Sequence, residues 1–178
     1  MRIIAVSNIK GGVGKTTTAV NLAYLAAASG RPTVLWDLDP QAAATYLLQG
    51  TAAEGTGSKQ LVSGKTSLLD LLTPTAHSDL YLAPADFSYR NFDLHIDDRK
   101  HRTSRLLRIV RPLHDACEFL VMDCPPGISL LSENVLRAAD AVVVPMLPAP
   151  LSLRMLDQLR AFLEREGWRD LRLLPFFS

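Results

Sequence analysis

Cysteine is scarce in this 178-residue sequence, and charge of neither sign is in excess. The only cysteines are Cys117 and Cys124, too few for a disulfide framework or a four-cysteine metal site, so a reduced, cytoplasmic setting is expected. Nineteen Lys and Arg against eighteen Asp and Glu leave a net charge of +1, which selects neither nucleic acid nor protein as a partner. No apolar run approaches the roughly 20 residues needed to span a bilayer. The N-terminus enters strand-like sequence at once, with no basic-then-apolar leader, so the expectation is a soluble, untargeted protein. His77, His95, His101 and His114 are scattered without metal-ligand spacing, and no internal repeat is present. The length suits one domain with one sizeable core.

What is present is concentrated near the N-terminus. Arg2 to Ser7 is mostly β-branched or apolar and reads as a strand. Thr16 to Ser29 is alanine-rich, closes on Gly30 and is followed by Pro32, as a helix ending would be. Between them stands Lys10-Gly11-Gly12-Val13-Gly14-Lys15-Thr16-Thr17. The strict pattern G-x-x-x-x-G-K-[ST] requires a glycine where Ile9 stands, so the segment is a variant of it. Its three glycines let the backbone approach phosphate oxygens at a helix N-terminus, where N–H groups converge. Lys15 supplies a point charge for β- and γ-phosphates, and the Thr16 hydroxyl takes a Mg²⁺ position. The plainer alternative is a glycine-rich turn with two incidental lysines; eight consecutive residues between a strand and a helix weigh against it.

The segment resembles the deviant Walker A box of the ParA/MinD family of partition and positioning ATPases, in which the first lysine is the distinguishing residue. Asp37-Leu38-Asp39-Pro40-Gln41 resembles the family's D-x-D-P-Q segment. Asp123-Cys124-Pro125-Pro126-Gly127 resembles its Walker B box with the double proline. The boxes stand in the family's order, and the similarity of pattern runs from Met1 to about Leu174. The resemblance implies ATP and Mg²⁺ as ligands, with Gly11, Gly12, Val13, Gly14, Lys15, Thr16 and Thr17 holding the nucleotide. It implies Thr16, Asp37 and Asp123 around the metal and Lys10, Lys15 and Asp39 in catalysis. Lys10 reaches across an ATP-dependent homodimer, and Asp39 positions the attacking water. A hydrolysis-stimulating partner protein and non-specific DNA complete the implied partners, and no membrane signal is seen.

Along the rest of the chain, Thr33–Asp37 and Phe119–Asp123 read as buried parallel strands that deliver their aspartates to the phosphate edge of the sheet. Asp37 and Asp39 serve there, or they cap the helix beginning near Gln41. Gly50 to Lys65 lacks periodicity and reads as a surface loop. Ser67 to Leu72 begins a short helix, Leu80 to Pro84 is a strand, and Ala85 to Asp98 is left without a state. Arg99 to Ala116 reads as a helix burying Leu106, Ile109, Val110 and Leu113. Arg102, Arg105, Arg108 and Arg111 line its neighbouring face, as a solvated stripe or as contacts for DNA phosphates. Leu130 to Ala139 and Ser152 to Glu166 read as helices, Ala141 to Pro145 and Leu171 to Phe177 as strands. Cys124, with no base nearby, reads as packing.

Strands alternating with helices predict an α/β fold, a mostly parallel sheet with helices on both faces. The expected organisation is a single P-loop ATPase domain over residues 1–178, a minimal member or a piece lacking the family's C-terminal elements. The adenine-contacting loops, much of the DNA-binding surface and a membrane-targeting helix belong to that later region and are not carried over. The expected activity is a Mg²⁺-dependent ATPase switch that dimerises around ATP. The alternatives are a metabolic synthase on the same scaffold, of the dethiobiotin or cobyrinate amide type, and an iron-protein reductase with a cysteine-bridged cluster.

Overall fold

The computed structural model describes residues 1–51, 57–98, 102–168 and 171–178. Its organising element is a seven-stranded sheet. The strands are β1 (Arg2–Val6), β2 (Thr33–Asp37), β3 (Thr73–Pro74), β4 (Leu80–Ala83), β5 (Phe119–Asp123), β6 (Ala141–Met146) and β7 (Arg172–Phe177), in the spatial order β3-β4-β2-β5-β1-β6-β7. All pairings are parallel except that of β3 with β4. The central strands are short apolar runs because both of their faces are covered. Every residue of β2 is buried, and so is all of β5 beyond Phe119.

The helices are α1 (Lys15–Ala28), α2 (Ala43–Leu47), α3 (Ser58–Ser63), α4 (Phe92–Asp97), α5 (Arg105–Val110), α6 (Leu130–Ala138) and α7 (Pro150–Arg165). One face of the sheet carries α1 and α2. There Ala19, Ala23 and Ala27, one turn apart, are all buried against Val6, Leu35, Leu82 and Val121, and their small side chains let the helix lie close to the strands. Gly30, at φ 77°, ends α1 in the left-handed conformation and donates to Ala27 O (2.8 Å). The other face carries the larger core, built on Trp36, Phe92, Leu106, Leu113 and Leu120 with α6 and α7. No helix among the described residues is long and apolar enough to cross a membrane.

Three segments depart from the expectations. The stretch from Gly50 to Lys65, expected as a surface loop, contains α3, whose Ser58, Leu61 and Val62 are buried; residues 52–56 lie outside the described part. Six residues are too few to show a period, although Gly64, left-handed at φ 76°, is the helix-ending signal. The stretch left without a state forms a 3-10 turn, Phe87–Asn91, leading into α4. Buried Tyr89, Phe92 and Ile96 there follow helical spacing, with Phe87 and Leu94 exposed. The single helix expected from Arg99 to Ala116 is broken into a 3-10 turn, α5 and a second 3-10 turn at Arg111–Leu113 that contains Pro112. Its apolar face is as read, with Leu106, Ile109, Val110 and Leu113 buried. Arg99, Lys100 and His101 lie outside the described residues.

Candidate functional site

The C-terminal edge of the sheet gathers the three boxes. Registers align Val6 and Asp37 each with Asp123, so the ends of β1, β5 and β2 stand side by side. The loop leaving β1 is held from both flanks. Ser7 N donates to Val143 O (3.1 Å) and Asn8 Nδ2 to Pro145 O (2.7 Å), while Asn8 Oδ1 accepts from Lys10 N (3.0 Å). Across the loop, Gly127 N donates to Ile9 O (3.0 Å) and Cys124 N to Val6 O (3.2 Å). Val13, 1% exposed, pins the loop into the core. Gly12 and Gly14 sit at φ 70° and 81°, a region costly for any residue with a Cβ. No atom lies within 4 Å of where a Cβ on Gly11 or Gly12 would stand, so that side of the loop is open to a ligand.

At the start of α1 the first helical bond runs from Thr18 N to Gly14 O (2.9 Å). The amides of Lys15, Thr16 and Thr17 precede it and have no intrahelical acceptor. They carry the partial positive charge of the helix end. Lys15 is buried, and its Nζ donates to Lys10 O (3.0 Å), so the loop's own carbonyl holds the ammonium across the turn. Burial lowers the Lys15 pKa, while Asp123 and then Asp39 act to raise it. Thr16 is half-buried and Thr17 exposed.

The carboxylates divide sharply. Asp37 Oδ2 accepts from Thr45 N (2.8 Å) and Thr45 Oγ1 (2.8 Å), and Oδ1 accepts from Asp39 N (3.1 Å). Asp37 therefore caps the first turn of α2, one of the two roles open to it from sequence. Asp39 is half-buried and its Oδ1 accepts from Gln41 N (2.9 Å), a turn that holds the carboxylate at the sheet edge. Asp123 is 0% exposed, and neither of its oxygens has a hydrogen-bond partner among the described residues. Burial pushes its pKa up to about 7; the neighbouring Thr16 hydroxyl and Lys15 act to lower it, without reaching hydrogen-bond geometry to either oxygen.

A buried, unpartnered carboxylate is costly unless a cation completes it. Asp123 beside the Thr16 hydroxyl presents hard oxygen donors that fit Mg²⁺. No group of three or more His, Cys, Asp or Glu among the described residues is placed to hold a metal by itself.

Beside the loop, on the α1 face, lies a cavity of about 590 Å³ whose lining includes Gly12, Thr17, Leu22, Leu25, Leu147 and Phe176. Phe176 on β7 and Ser178 just beyond it also line the cavity, and Ser178 Oγ donates to Val13 O (3.0 Å). Asn8, Thr45 and Phe176 are parts of the site that motif reading missed. Thr45 stands outside every motif, eight residues beyond Asp37. The arginine stripe does not act as a unit. Arg105 donates from Nε (2.7 Å) and Nη2 to Val62 O at the end of α3, whereas Arg108 and Arg111 are exposed. Cys124 is buried with its thiol pKa pushed up, as packing requires. It and Cys117 lie at opposite ends of β5.

Comparison with known proteins agrees with this geometry. The AAA-domain family matches residues 1–166. The chromosome partitioning protein ParA of Myxococcus xanthus is 37% identical over 167 residues, covering 89% of this chain and 56% of that protein. The sporulation initiation inhibitor protein Soj of Bacillus subtilis is 34% identical over 162 residues, covering 89% of this chain and 63% of that protein. The chain thus spans less than two thirds of the length of these relatives. Among solved structures, cobyrinic acid a,c-diamide synthase of Mycobacterium smegmatis with bound ADP and magnesium superposes at a TM-score of 0.87 and 29% identity, over 98% of this chain and 74% of that one. A plasmid partition protein of Borrelia burgdorferi shares the fold at a TM-score of 0.87 and 24% identity, over 99% of this chain and 77% of that one. The three boxes at one sheet edge, the matched domain and the partition relatives agree: the chain belongs to the ParA/MinD family.

Proposed function

We propose that this chain is a Mg²⁺-dependent ATPase of a single P-loop domain that closes into an ATP-bound dimer and acts in the cytoplasm as a DNA-partition or cargo-positioning switch, reset by hydrolysis. The observation that carries the proposal is the unpartnered Asp123 carboxylate beside Lys15 and the open phosphate loop. Phosphoryl transfer asks the protein for positioning and charge more than for covalent chemistry. The loop amides and Lys15 bind the phosphates, Lys15 exchanging Lys10 O for a phosphate oxygen. Asp123 and Thr16 hold Mg²⁺, with Asp37 near its waters; the bound ion supplies charge neutralisation on the phosphate oxygens. Asp39 orients a water toward the γ-phosphorus, the bond to the β-phosphate oxygen breaks, and ADP and inorganic phosphate leave. Lys10 contributes its charge to the phosphates held by the other subunit. The cavity beside α1 accommodates the nucleoside. Exposed Arg108 and Arg111 favour a non-specific DNA surface, and a partner protein stimulates hydrolysis.

The cobyrinate synthase match keeps a metabolic enzyme on this scaffold in view, but two relatives at 34–37% identity are named chromosome partitioning protein ParA. Sizing the protein with ADP and with a non-hydrolysable ATP analogue separates the two. The switch gives a dimer with the analogue alone, lost in Lys10→Ala and accumulated with ATP in Asp39→Ala. Mixing Lys10→Ala with Lys15→Ala restores some turnover, because one composite site then holds both lysines. A monomer in every nucleotide state, with turnover intact, overturns the switch.

A further inference from the structure

We infer that Asn8 is the positioning residue for Lys10: its side chain keeps the Lys10 backbone in place once a nucleotide has drawn Lys15 away, so that Asn8 governs closure of the nucleotide-loaded dimer more than capture of the nucleotide. The inference rests on the ATP-switch reading and deepens it with a residue to which that reading gives no role. Asn8 lies two residues past β1 and is 8% exposed. Its amide faces two ways. Nδ2 donates to Pro145 O on β6 (2.7 Å), and Oδ1 accepts from Lys10 N (3.0 Å). The first bond fixes the side chain to the sheet, and the second closes a turn onto the backbone two residues on, which Asn forms readily. The nitrogen only donates and the oxygen only accepts, so this one orientation satisfies both partners.

The loop on either side shows what this tether controls. Before Lys10 the chain is held by its own backbone, through Ser7 N to Val143 O (3.1 Å) and Gly127 N to Ile9 O (3.0 Å). After Lys10 come Gly11 and Gly12, both exposed, and the chain is next fixed at buried Val13. Two consecutive glycines transmit little order across themselves. The Lys10 backbone is gripped by side chains at both of its ends, its N–H by Asn8 and its carbonyl by Lys15 Nζ (3.0 Å). A phosphate that takes the Lys15 ammonium releases the second grip, and the Asn8 bond then holds Lys10 in register.

Two parts of the site therefore depend on Asn8 to different degrees. Lys15 and the free amides of α1 follow Val13 and are set by the helix, whose first bond is Thr18 N to Gly14 O (2.9 Å). They bind phosphate from a scaffold that Asn8 does not touch. Lys10, before the glycines, loses its fixed backbone when Asn8 is removed. A net hydrogen bond is worth roughly 2- to 13-fold in an equilibrium constant, and that factor should fall on dimer closure, where the Lys10 ammonium acts.

Three measurements on the full chain test this: hydrogen exchange at the Lys10 amide, affinity for Mg²⁺-ADP, and the dimerisation constant with a non-hydrolysable ATP analogue. In the wild type the Lys10 amide stays protected when Mg²⁺-ADP binds. In Asn8→Ala it exchanges at least about fivefold faster, and the dimer weakens at least about threefold more than ADP affinity does. Asn8→Asp keeps an acceptor for Lys10 N and recovers both the protection and the dimer to within about twofold of wild type. Loss of Lys10 protection when the wild type binds ADP overturns the inference, whether or not the variants fold. Equal losses of ADP affinity and dimerisation in Asn8→Ala overturn it too, since they mark Asn8 as a structural support of the whole loop, and so does an Asn8→Asp protein that behaves as Asn8→Ala. In each of these cases the switch reading stands if the wild type dimerises with the analogue. A wild type that binds ADP but never dimerises overturns the switch reading and the inference with it.

Discussion

Asp37 and Asp123 end neighbouring strands, paired in register across β2 and β5, and both are 0% exposed. Burial raises the pKa of each. Their surroundings differ completely. Asp37 accepts three hydrogen bonds, two from Thr45 and one from the Asp39 amide, and these act to lower its pKa against burial. Asp123, one strand away, accepts none from the described residues. The fold completes one carboxylate with its own donors and leaves the other to be completed from outside. Proximity to the loop does not separate the two residues, and donor supply does. Asp37 has the bonding of a structural cap, whereas the oxygens of Asp123 have no hydrogen-bond partner among the described residues.

The largest effect should come from removing that unpartnered carboxylate. Asp123→Asn is expected to lower Mg²⁺-dependent ATP hydrolysis at least about 100-fold while raising the melting temperature of the nucleotide-free protein near pH 8. The sign follows from linkage. In the unfolded chain this carboxyl ionises near 3.8, and burial in the fold pushes that up to about 7. Its contribution to stability is complete below about pH 4 and is lost as pH rises to about 7, an effect of roughly 4 kcal/mol at most. The nucleotide-free wild type should therefore melt lower at pH 8 than at pH 5, and Asp123→Asn should flatten that dependence. Calorimetry across this range measures both. A wild type that melts higher at pH 8 than at pH 5 would mean that Asp123 has a partner in solution.

The smallest effect should fall on the other side of the comparison. Thr45→Val removes a hydroxyl that donates to Asp37 Oδ2 and accepts from Ala85 N (2.8 Å). A loss of about 1–3 kcal/mol is expected, with the Mg²⁺ response of ATP binding unchanged. A Thr45→Val protein that keeps its stability but binds Mg²⁺ differently would blur the division between the two aspartates.

Much of this site was legible from sequence because its parts are local. The Lys10–Thr17 segment, β2 and β5 each combine an apolar run with the box that follows it, and their strand bounds agree with the structure at both ends. The families of donors around the carboxylates were not legible. Thr45 reaches Asp37 only because α2 turns back over β2, and a missing partner for Asp123 leaves no trace in a motif. The cavity joins α1 to Phe176, about 150 residues further on, through the placement of β7 beside β6. The arginines repeat every third residue, yet the breaks around α5 and the Val62 carbonyl engage Arg105 separately from exposed Arg108 and Arg111. The α3 helix escaped because six residues cannot display a period.

The most direct test of the division is the Mg²⁺ dependence of ATP-analogue binding, titrated in parallel in Asp123→Asn and Asp37→Asn. The account predicts that Asp123→Asn binds the analogue with an affinity indifferent to Mg²⁺, whereas Asp37→Asn, destabilised by about 1–2 kcal/mol, retains the wild-type Mg²⁺ enhancement. Enhancement that survives in Asp123→Asn and vanishes in a folded Asp37→Asn would contradict it.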